Sequence, residues 1–203
     1  MINNFELIQK NLTFNNERSF YFIQILKRKK ENPEMKSDSI VIDNFYIFSV
    51  DQLTKVMPHI ITKCEENKAR AYIKMNCLDA QSVMLEMISV LSHNIREEKW
   101  KEFRSALNSS CGKCGKQNGT EKLYLVDLDN IKAYSDECYD IIRCINNLEP
   151  LGNDSKVKII VPTKNGCHLL TTGFNIQKFK VEYNNIDIHD DGITLLYYPE
   201  SCG

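Results

Sequence analysis

The chain contains no long run of apolar residues and no large excess of charge of either sign. No segment approaches the roughly 18 apolar residues that a membrane-spanning helix needs, and the first residues, MINNFELIQKNLTF, lack a basic region followed by an apolar core. We therefore expect a soluble, cytoplasmic protein that does not enter a membrane. The 26 Lys and Arg residues nearly balance the 27 Asp and Glu residues, which argues against binding nucleic acid by bulk charge.

A complete set of zinc ligands is also missing. Cys111 and Cys114 form one CxxC unit within NSSCGKCGKQNGT, residues 108–120, which we interpret as a glycine-rich loop and module boundary. A structural zinc site needs four ligands, and no second CxxC is present. Zinc is therefore unexpected, a phosphate-contacting glycine loop is no better supported, and most of the eight cysteines should be reduced thiols.

The patterns that are present predict an α+β fold built from two modules that form one compact unit. At 203 residues, with 26% charged and 42% hydrophobic residues, the chain can bury an ordinary globular core. Residues 1–115 predict an N-terminal α/β module with strands near 19–30, 40–49 and 69–75 and helices near 50–66 and 79–95. In the second helix we expect Val83, Met87, Ile88, Val90 and Leu91 to face the core, with Trp100, Phe103 and Leu107 continuing the pattern.

Residues 121–203 predict a second module with the order strand, helix, strand, strand, helix, strand. This is the βαββαβ order of the ferredoxin-like or RRM-like unit. Its helix 136–148 carries an apolar stripe that includes Cys138, and Ser135 is positioned to cap it. In such a sheet the first strand lies between the third and the fourth and runs antiparallel to both.

The first strand of this module, in KLYLVDLDN, ends with two carboxylates on one face. Alternate side chains of a strand share a face, so Asp127 and Asp129 project together with Leu125. Burying two unpaired like charges is unfavourable, and a divalent Mg²⁺ or Mn²⁺ bound by hard oxygen ligands would relieve the repulsion. The alternative is that both residues lie in a solvated loop after an ordinary strand.

Two other polar stretches are predicted to meet these carboxylates at one edge of the sheet. The end of the first strand lies beside the starts of the third and fourth strands, where His168 and Asp187 are found. Individually, His168 suits a hairpin and Asp187 a polar turn. Together, three carboxylates and one imidazole favour a bound cation with an anionic substrate.

Basic side chains occur in two places in the first module, each with two interpretations. Residues 27–30 read KRKK, which suits either a solvated strand end or contact with phosphate. Arg70, Tyr72 and Lys74 alternate with apolar residues, which suits either an exposed edge strand or a phosphate-contacting face.

The ordered motifs resemble those of the archaeo-eukaryotic primase superfamily, which includes primase-polymerases. YLVDLD resembles the first motif and implies that Asp127 and Asp129 are metal ligands. TKNGCH is similar to the second, implying that His168 contacts the nucleotide phosphates with help from Thr163 or Lys164. IDIHDD is similar to the third and implies that Asp187 is the third carboxylate. The short chain suits a phage or mobile-element form of such a core.

The resemblance implies a metal-dependent nucleotidyltransferase that adds nucleotides to a 3′ hydroxyl. Its catalytic residues would be Asp127, Asp129, Asp187 and His168, its cofactors two Mg²⁺ or Mn²⁺ ions, and its partners nucleoside triphosphates and single-stranded or primed nucleic acid. One alternative is a catalytically reduced accessory protein of a phage or mobile element that binds nucleotide or nucleic acid. Another is a metal-dependent nuclease or phosphoesterase that uses the same carboxylates with water as nucleophile.

Overall fold

The computed structural model describes residues 1–200, so Cys202 lies outside the described residues. Two antiparallel sheets with helices packed against them confirm the predicted α+β class. The strands are β1 (Ile2–Asn3), β2 (Ser19–Arg28), β3 (Ser39–Ile47), β4 (Arg70–Asp79), β5 (Tyr124–Asp129), β6 (Val157–Pro162), β7 (Gly166–Thr171), β8 (Asp187–His189) and β9 (Ile193–Tyr198). The helices are α1 (Phe5–Gln9), α2 (Val50–Asn67), α3 (Ala80–Arg96), a 3₁₀ helix (Trp100–Ser105), α4 (Ala106–Lys113), α5 (Asp136–Asn147) and α6 (Ile176–Glu182).

The larger sheet has the strand order β1-β9-β4-β2-β3, and its two faces are covered differently. The predicted hairpin of β2 and β3 forms, and alternate β2 residues such as Ile23 and Ile25 pack in one cluster with α1 and α2. On the other face, Phe20 and Phe22 pack with residues of α3 and α4. That cover stops partway along the strands, which leaves the Arg28 end of this face open.

The smaller sheet has the order β6-β7-β5-β8, with each neighbouring pair antiparallel. This is the strand order predicted from the βαββαβ sequence. Helix α5 begins where predicted, because the Ser135 hydroxyl accepts a hydrogen bond from the Cys138 amide at 3.3 Å. Its buried residues pack with Val126 and Leu128 of β5, which places Leu125 and Asp127 on the opposite face.

The last described strand, β9, follows β8 of the smaller sheet along the chain but belongs to the larger sheet. It pairs with β4 on one side and β1 on the other, so the predicted modules 1–115 and 121–203 share a sheet. Asn4 reinforces the junction, since its side-chain amide donates to the carbonyls of Pro162 and Leu195, both at 2.9 Å.

The predicted glycine-rich loop at 108–120 is partly wrong, because residues up to Lys113 form helix α4. Cys111 is fully buried there. The buried Lys74 ammonium donates to the carbonyls of Cys111 at 3.0 Å and Cys114 at 2.7 Å, satisfying acceptors at the helix end. A lysine remote in sequence therefore stabilises a helix that its own glycine and serine content disfavours.

The expectation that Ile88, Trp100, Phe103 and Leu107 belong to the core is also wrong. Ile88 and Trp100 are each 63% exposed, and Phe103 is 61% exposed. Helix α3 packs through a narrower stripe that includes Val83 and Val90. The periodicity identified the helix correctly, but it did not indicate which of its apolar side chains remain exposed.

Residues 1–200 contain no helix whose length and apolar character would let it cross a bilayer.

Gly166 is required where β7 approaches the end of β5. A Cβ atom at this position would lie 1.9 Å from the backbone oxygen of Leu128 and 3.1 Å from the amide nitrogen of Asn130. We predict that Gly166→Ala lowers the free energy of unfolding by about 2–3 kcal/mol, because backbone must shift to accept the methyl group. Urea unfolding followed by circular dichroism measures this loss.

Gly115→Ala is the matched control, since a Cβ atom there meets no heavy atom within 4 Å. Its stability should stay within about 0.5 kcal/mol of the parent. Equal stability of the two variants would contradict the close approach at Gly166.

Candidate functional site

The register of β5 brings the three predicted motifs to one level of the smaller sheet. Asp127 lies directly opposite His168 on β7 and directly opposite Asp187 on β8. Residues that face each other across antiparallel strands project to the same side of the sheet. One carboxylate is therefore flanked by an imidazole and a second carboxylate from distant parts of the chain.

An open cleft of about 660 Å³ lies between this face and the uncovered end of the larger sheet. Asp127, Asp129 and His168 line one wall, together with Thr163 and Lys164 of the β6–β7 turn. Asp187 is exposed and is not among the lining residues, although it is the cross-strand neighbour of Asp127. Five of the six predicted site residues thus share the cleft.

The carboxylates of Asp127, Asp129 and Asp187 form no ion pair with lysine or arginine within residues 1–200. The next two acids in the chain are different. Asp190 pairs with Lys122 at 2.5 Å, and Asp191 pairs with Lys74 at 2.6 Å. Asp127, Asp129 and Asp187 therefore lack a lysine or arginine partner in the described part of the chain, whereas Asp190 and Asp191 each bind a lysine.

Burial and mutual repulsion disfavour ionisation at the centre of this wall. Burial raises the pKa of Asp127, and the nearby carboxylates of Asp129 and Asp187 raise it further, partly opposed by His189. Burial lowers the pKa of His168 to about 4, with His189 acting in the same direction. His168 Nε2 lies 3.5 Å from Asp127 Oδ1, which is too long for a strong bond to offset burial. His168 is therefore neutral at pH 7.

Cationic and aromatic side chains from the larger sheet form the opposite wall. Arg28 and Lys30 line the cleft, and Arg28 Nη1 donates to the Tyr72 hydroxyl at 3.2 Å. Arg70 is partly neutralised by an ion pair with Glu31. No carboxylate lies within ion-pair distance of Arg28 or Lys30 in the described residues, whereas Lys27 contacts Glu34 at 3.7 Å. The same wall carries one acid, Asp38.

This wall decides between interpretations left open by the sequence. Strand β4 is central, between β9 and β2, so the edge-strand interpretation of Arg70, Tyr72 and Lys74 is wrong. Arg70 and Tyr72 line the cleft, but Lys74 is buried and serves α4 and Asp191. Two of the three residues of the predicted basic and aromatic face therefore line the cleft.

The turn between β6 and β7 is held against the end of β5. The Asn130 amide donates to the Asn165 carbonyl at 2.9 Å, and the Thr163 amide donates to the Gly166 carbonyl at 2.9 Å. Lys164 Nζ lies 5.0 Å from the centre of the Tyr198 ring, close enough for a cation–π contact. These contacts hold Lys164 at the edge of the cleft, between the acidic and the cationic walls.

The donor chemistry suits a hard divalent cation, although no compact protein cage is present. Carboxylate oxygens without cationic partners are ligands that Mg²⁺ and Mn²⁺ favour. Within residues 1–200, however, no three His, Cys, Asp or Glu side chains are grouped closely enough to hold a metal by themselves. A bound Mg²⁺ or Mn²⁺ would therefore need additional ligands, such as water.

His189 and Asp191 also line the cleft, although neither is among the site residues predicted from the sequence. The period of two along a strand already placed His189 on the same face as Asp187. Arg28 and Lys30 belong to the basic run that the sequence shows at residues 27–30. No local sequence pattern indicates that the end of β2 lies opposite β5.

In comparisons with known proteins, no family model, no curated protein and no solved structure matches the chain.

The neutral, largely buried imidazole of His168 makes stability depend on pH. Because the pKa of His168 is about 4 when folded and near 6.5 when unfolded, the unfolded chain takes up the proton first as the pH falls. The contribution is fully present above about pH 6.5 and is lost towards pH 4, by about 3 kcal/mol in total. Urea unfolding of the parent and of His168→Gln at pH 7 and pH 4 isolates this term. A parent whose loss matches that of the variant would contradict it.

Removing the charge of Asp127 should stabilise the protein. Asp127→Asn keeps the shape of the side chain and removes the repulsion from Asp129 and Asp187. We expect the melting temperature to rise by about 2–4 °C, which corresponds to about 1 kcal/mol for a chain of this size. Asp190→Asn is the control, since it removes a charge that is paired with Lys122 and should not raise the melting temperature. A lower melting temperature for Asp127→Asn would show that its charge is compensated.

Proposed function

We propose that the protein is a metal-dependent nucleotidyltransferase of the primase-polymerase type, which transfers a nucleotide from a nucleoside triphosphate to a 3′ hydroxyl. The observation that carries this proposal is one cleft with the carboxylates of Asp127 and Asp129 on one wall and the cations of Arg28 and Lys30 on the other. Within residues 1–200, neither carboxylate forms an ion pair with lysine or arginine, and neither cation forms one with a carboxylate. A substrate that binds metal and also carries several negative charges matches both walls. A polyphosphate has this chemistry.

The carboxylates of Asp127 and Asp129 would hold Mg²⁺ or Mn²⁺. Magnesium in nucleotide-dependent enzymes is commonly bound by one or two carboxylates plus substrate phosphates. The bound ions would neutralise phosphate charge and favour ionisation of the attacking hydroxyl. Asp187 would keep the carboxylate of Asp127 oriented towards its ligand by repulsion across the strand pair.

His168 would donate a hydrogen bond to a phosphate oxygen. Its Nδ1 lies 2.9 Å from the Thr194 hydroxyl, which fixes the ring and leaves Nε2 on the side of Asp127. Because the ring is neutral at pH 7, it binds as a dipole and does not compete with a cation. Lys164, Arg28 and Lys30 would supply the positive charge for the remaining phosphate oxygens and for the released pyrophosphate.

A nucleotide-binding protein without catalysis is the second candidate. The cationic wall can hold a polyphosphate without metal, and no three-residue metal cage exists in residues 1–200. The two functions differ in whether Asp127 and Asp129 are needed for turnover or only modify binding.

The test is extension of a labelled primer on single-stranded and primed DNA with nucleoside triphosphates and Mn²⁺ or Mg²⁺. We expect incorporation by the parent and a loss of at least about 100-fold in Asp127→Ala and Asp129→Ala, since metal coordination supplies several kcal/mol of transition-state stabilisation. Asp190→Ala is the matched control, because that carboxylate is bound to Lys122 outside the cleft.

The other outcomes would contradict the assignment or indicate a different function. Incorporation that survives both alanine variants would contradict the assignment. Shortened products that depend on the same aspartates would indicate a nuclease or phosphoesterase. Absence of products, together with a melting temperature raised by nucleoside triphosphate, would indicate a binding protein.

A further inference from the structure

A patch of large apolar side chains lies uncovered on the helices that follow β4. We call it the α3 patch and define it by Met84, Leu85, Ile88, Ile95, Trp100, Phe103 and Leu107. Six of these side chains are 61–63% exposed, and Leu107 is 37% exposed. Folded monomers seldom expose so many large apolar groups in one continuous segment, and such patches usually mark an interface.

The α3 part of this patch carries almost no charge, which disfavours a phosphate backbone as the partner of that part. From Ala80 to Ile95 the only formally charged residue is Glu86, and its carboxylate contacts Lys113 of α4 at 3.6 Å. Glu86 lies on the opposite side of α3 from Ile88 and Ile95, since the helix turns 100° per residue. An uncharged, apolar surface fits another apolar surface.

The spacing along α3 identifies the kind of surface. Met84, Ile88, Leu91 and Ile95 follow one another at intervals of four, three and four residues. These intervals are those of a heptad seam, in which the side chains of one helix fit between those of a facing helix. The partner is therefore expected to present a helix with the same pattern.

We propose that the α3 patch is a homodimer interface, in which the α3 helices of two copies pack antiparallel across a two-fold axis. A two-fold axis near the middle of the seam places Met84 against the partner's Ile95 and Ile88 against the partner's Leu91. Every apolar residue of the seam then meets an apolar residue, and the helix dipoles oppose each other. The seam of α3 in one copy therefore matches the seam of α3 in the second copy.

The exposed area is sufficient for a stable dimer. The seven side chains leave roughly 700 Å² of largely apolar surface in solvent, close to the roughly 800 Å² per partner of a standard interface. Helix α3 lies on the larger-sheet face that also forms the cationic wall of the cleft. The dimer would leave that cleft accessible, because α3 covers the other end of the sheet face.

Sedimentation velocity and light scattering of the full chain test the proposal. We expect a dimer at micromolar concentrations and a dissociation constant raised at least about 100-fold by Ile88→Glu, because association would bury an unpaired charge. Val181→Glu is the matched control, since Val181 is 87% exposed on α6 and lies outside the patch. Circular dichroism verifies that both variants remain folded.

A pair of charged variants tests the antiparallel arrangement. Met84→Glu and Ile95→Lys should each be monomeric, and an equal mixture should recover a heterodimer because the two new charges face each other. Two helices packed in parallel would not recover, since residue 84 would then face residue 84. Failure of the mixture to associate would therefore overturn the antiparallel geometry.

A parent that stays monomeric up to about 100 µM would overturn the dimer, because interfaces of this size are populated at that concentration. A dimer that is insensitive to Ile88→Glu and to Ile95→Lys would place the interface elsewhere. Single-stranded DNA binding that is lost in Trp100→Ala, with no dimer, would instead assign the patch to nucleic acid.

Discussion

The position of the acidic side chains is dictated by the way β5 is buried. This strand is hydrogen-bonded on both sides, to β7 and to β8, and one of its faces is covered by α5 and α6. A slip of one residue would turn Asp127 into that apolar core and expose Val126. The same packing that stabilises the smaller sheet therefore holds an unfavourable carboxylate against the cleft.

Two of the acidic residues that line the cleft differ in their partners. Asp191 is paired with a lysine, whereas Asp127 has no lysine or arginine partner within residues 1–200. The Asp191 carboxylate forms an ion pair with the Lys74 ammonium at 2.6 Å and accepts a hydrogen bond from the Asn76 side-chain amide at 2.9 Å. The Lys74 ammonium also donates to carbonyls at the end of α4. This buried network fixes the turn that leads from one sheet to the other. Because the Lys74 ammonium is bound to Asp191 and to the carbonyls of α4, it does not neutralise Asp127, and the repulsion between the carboxylates of Asp127 and Asp129 is not relieved by this lysine.

Much of the site geometry could be predicted from sequence, because it depends on local rules. The period of two along β5, the Ser135 cap and the order of strands and helices were enough to place Asp127 beside His168 and Asp187. The cationic wall could not be predicted in the same way, since it depends on how the ends of β2 and β4 lie relative to another sheet. Helix α4 was missed because its partner, Lys74, is 37 residues distant from Cys111.

The position of β9 in the larger sheet has a consequence for folding. The pairing of β1 with β9 joins Ile2 to Tyr198, so the edge of the larger sheet closes only when segments almost the full described length apart have met. Closure of such a long loop costs entropy before any strand contact compensates it. We expect slow folding with high contact order, in which β2, β3 and β4 assemble first and wait for the final strand.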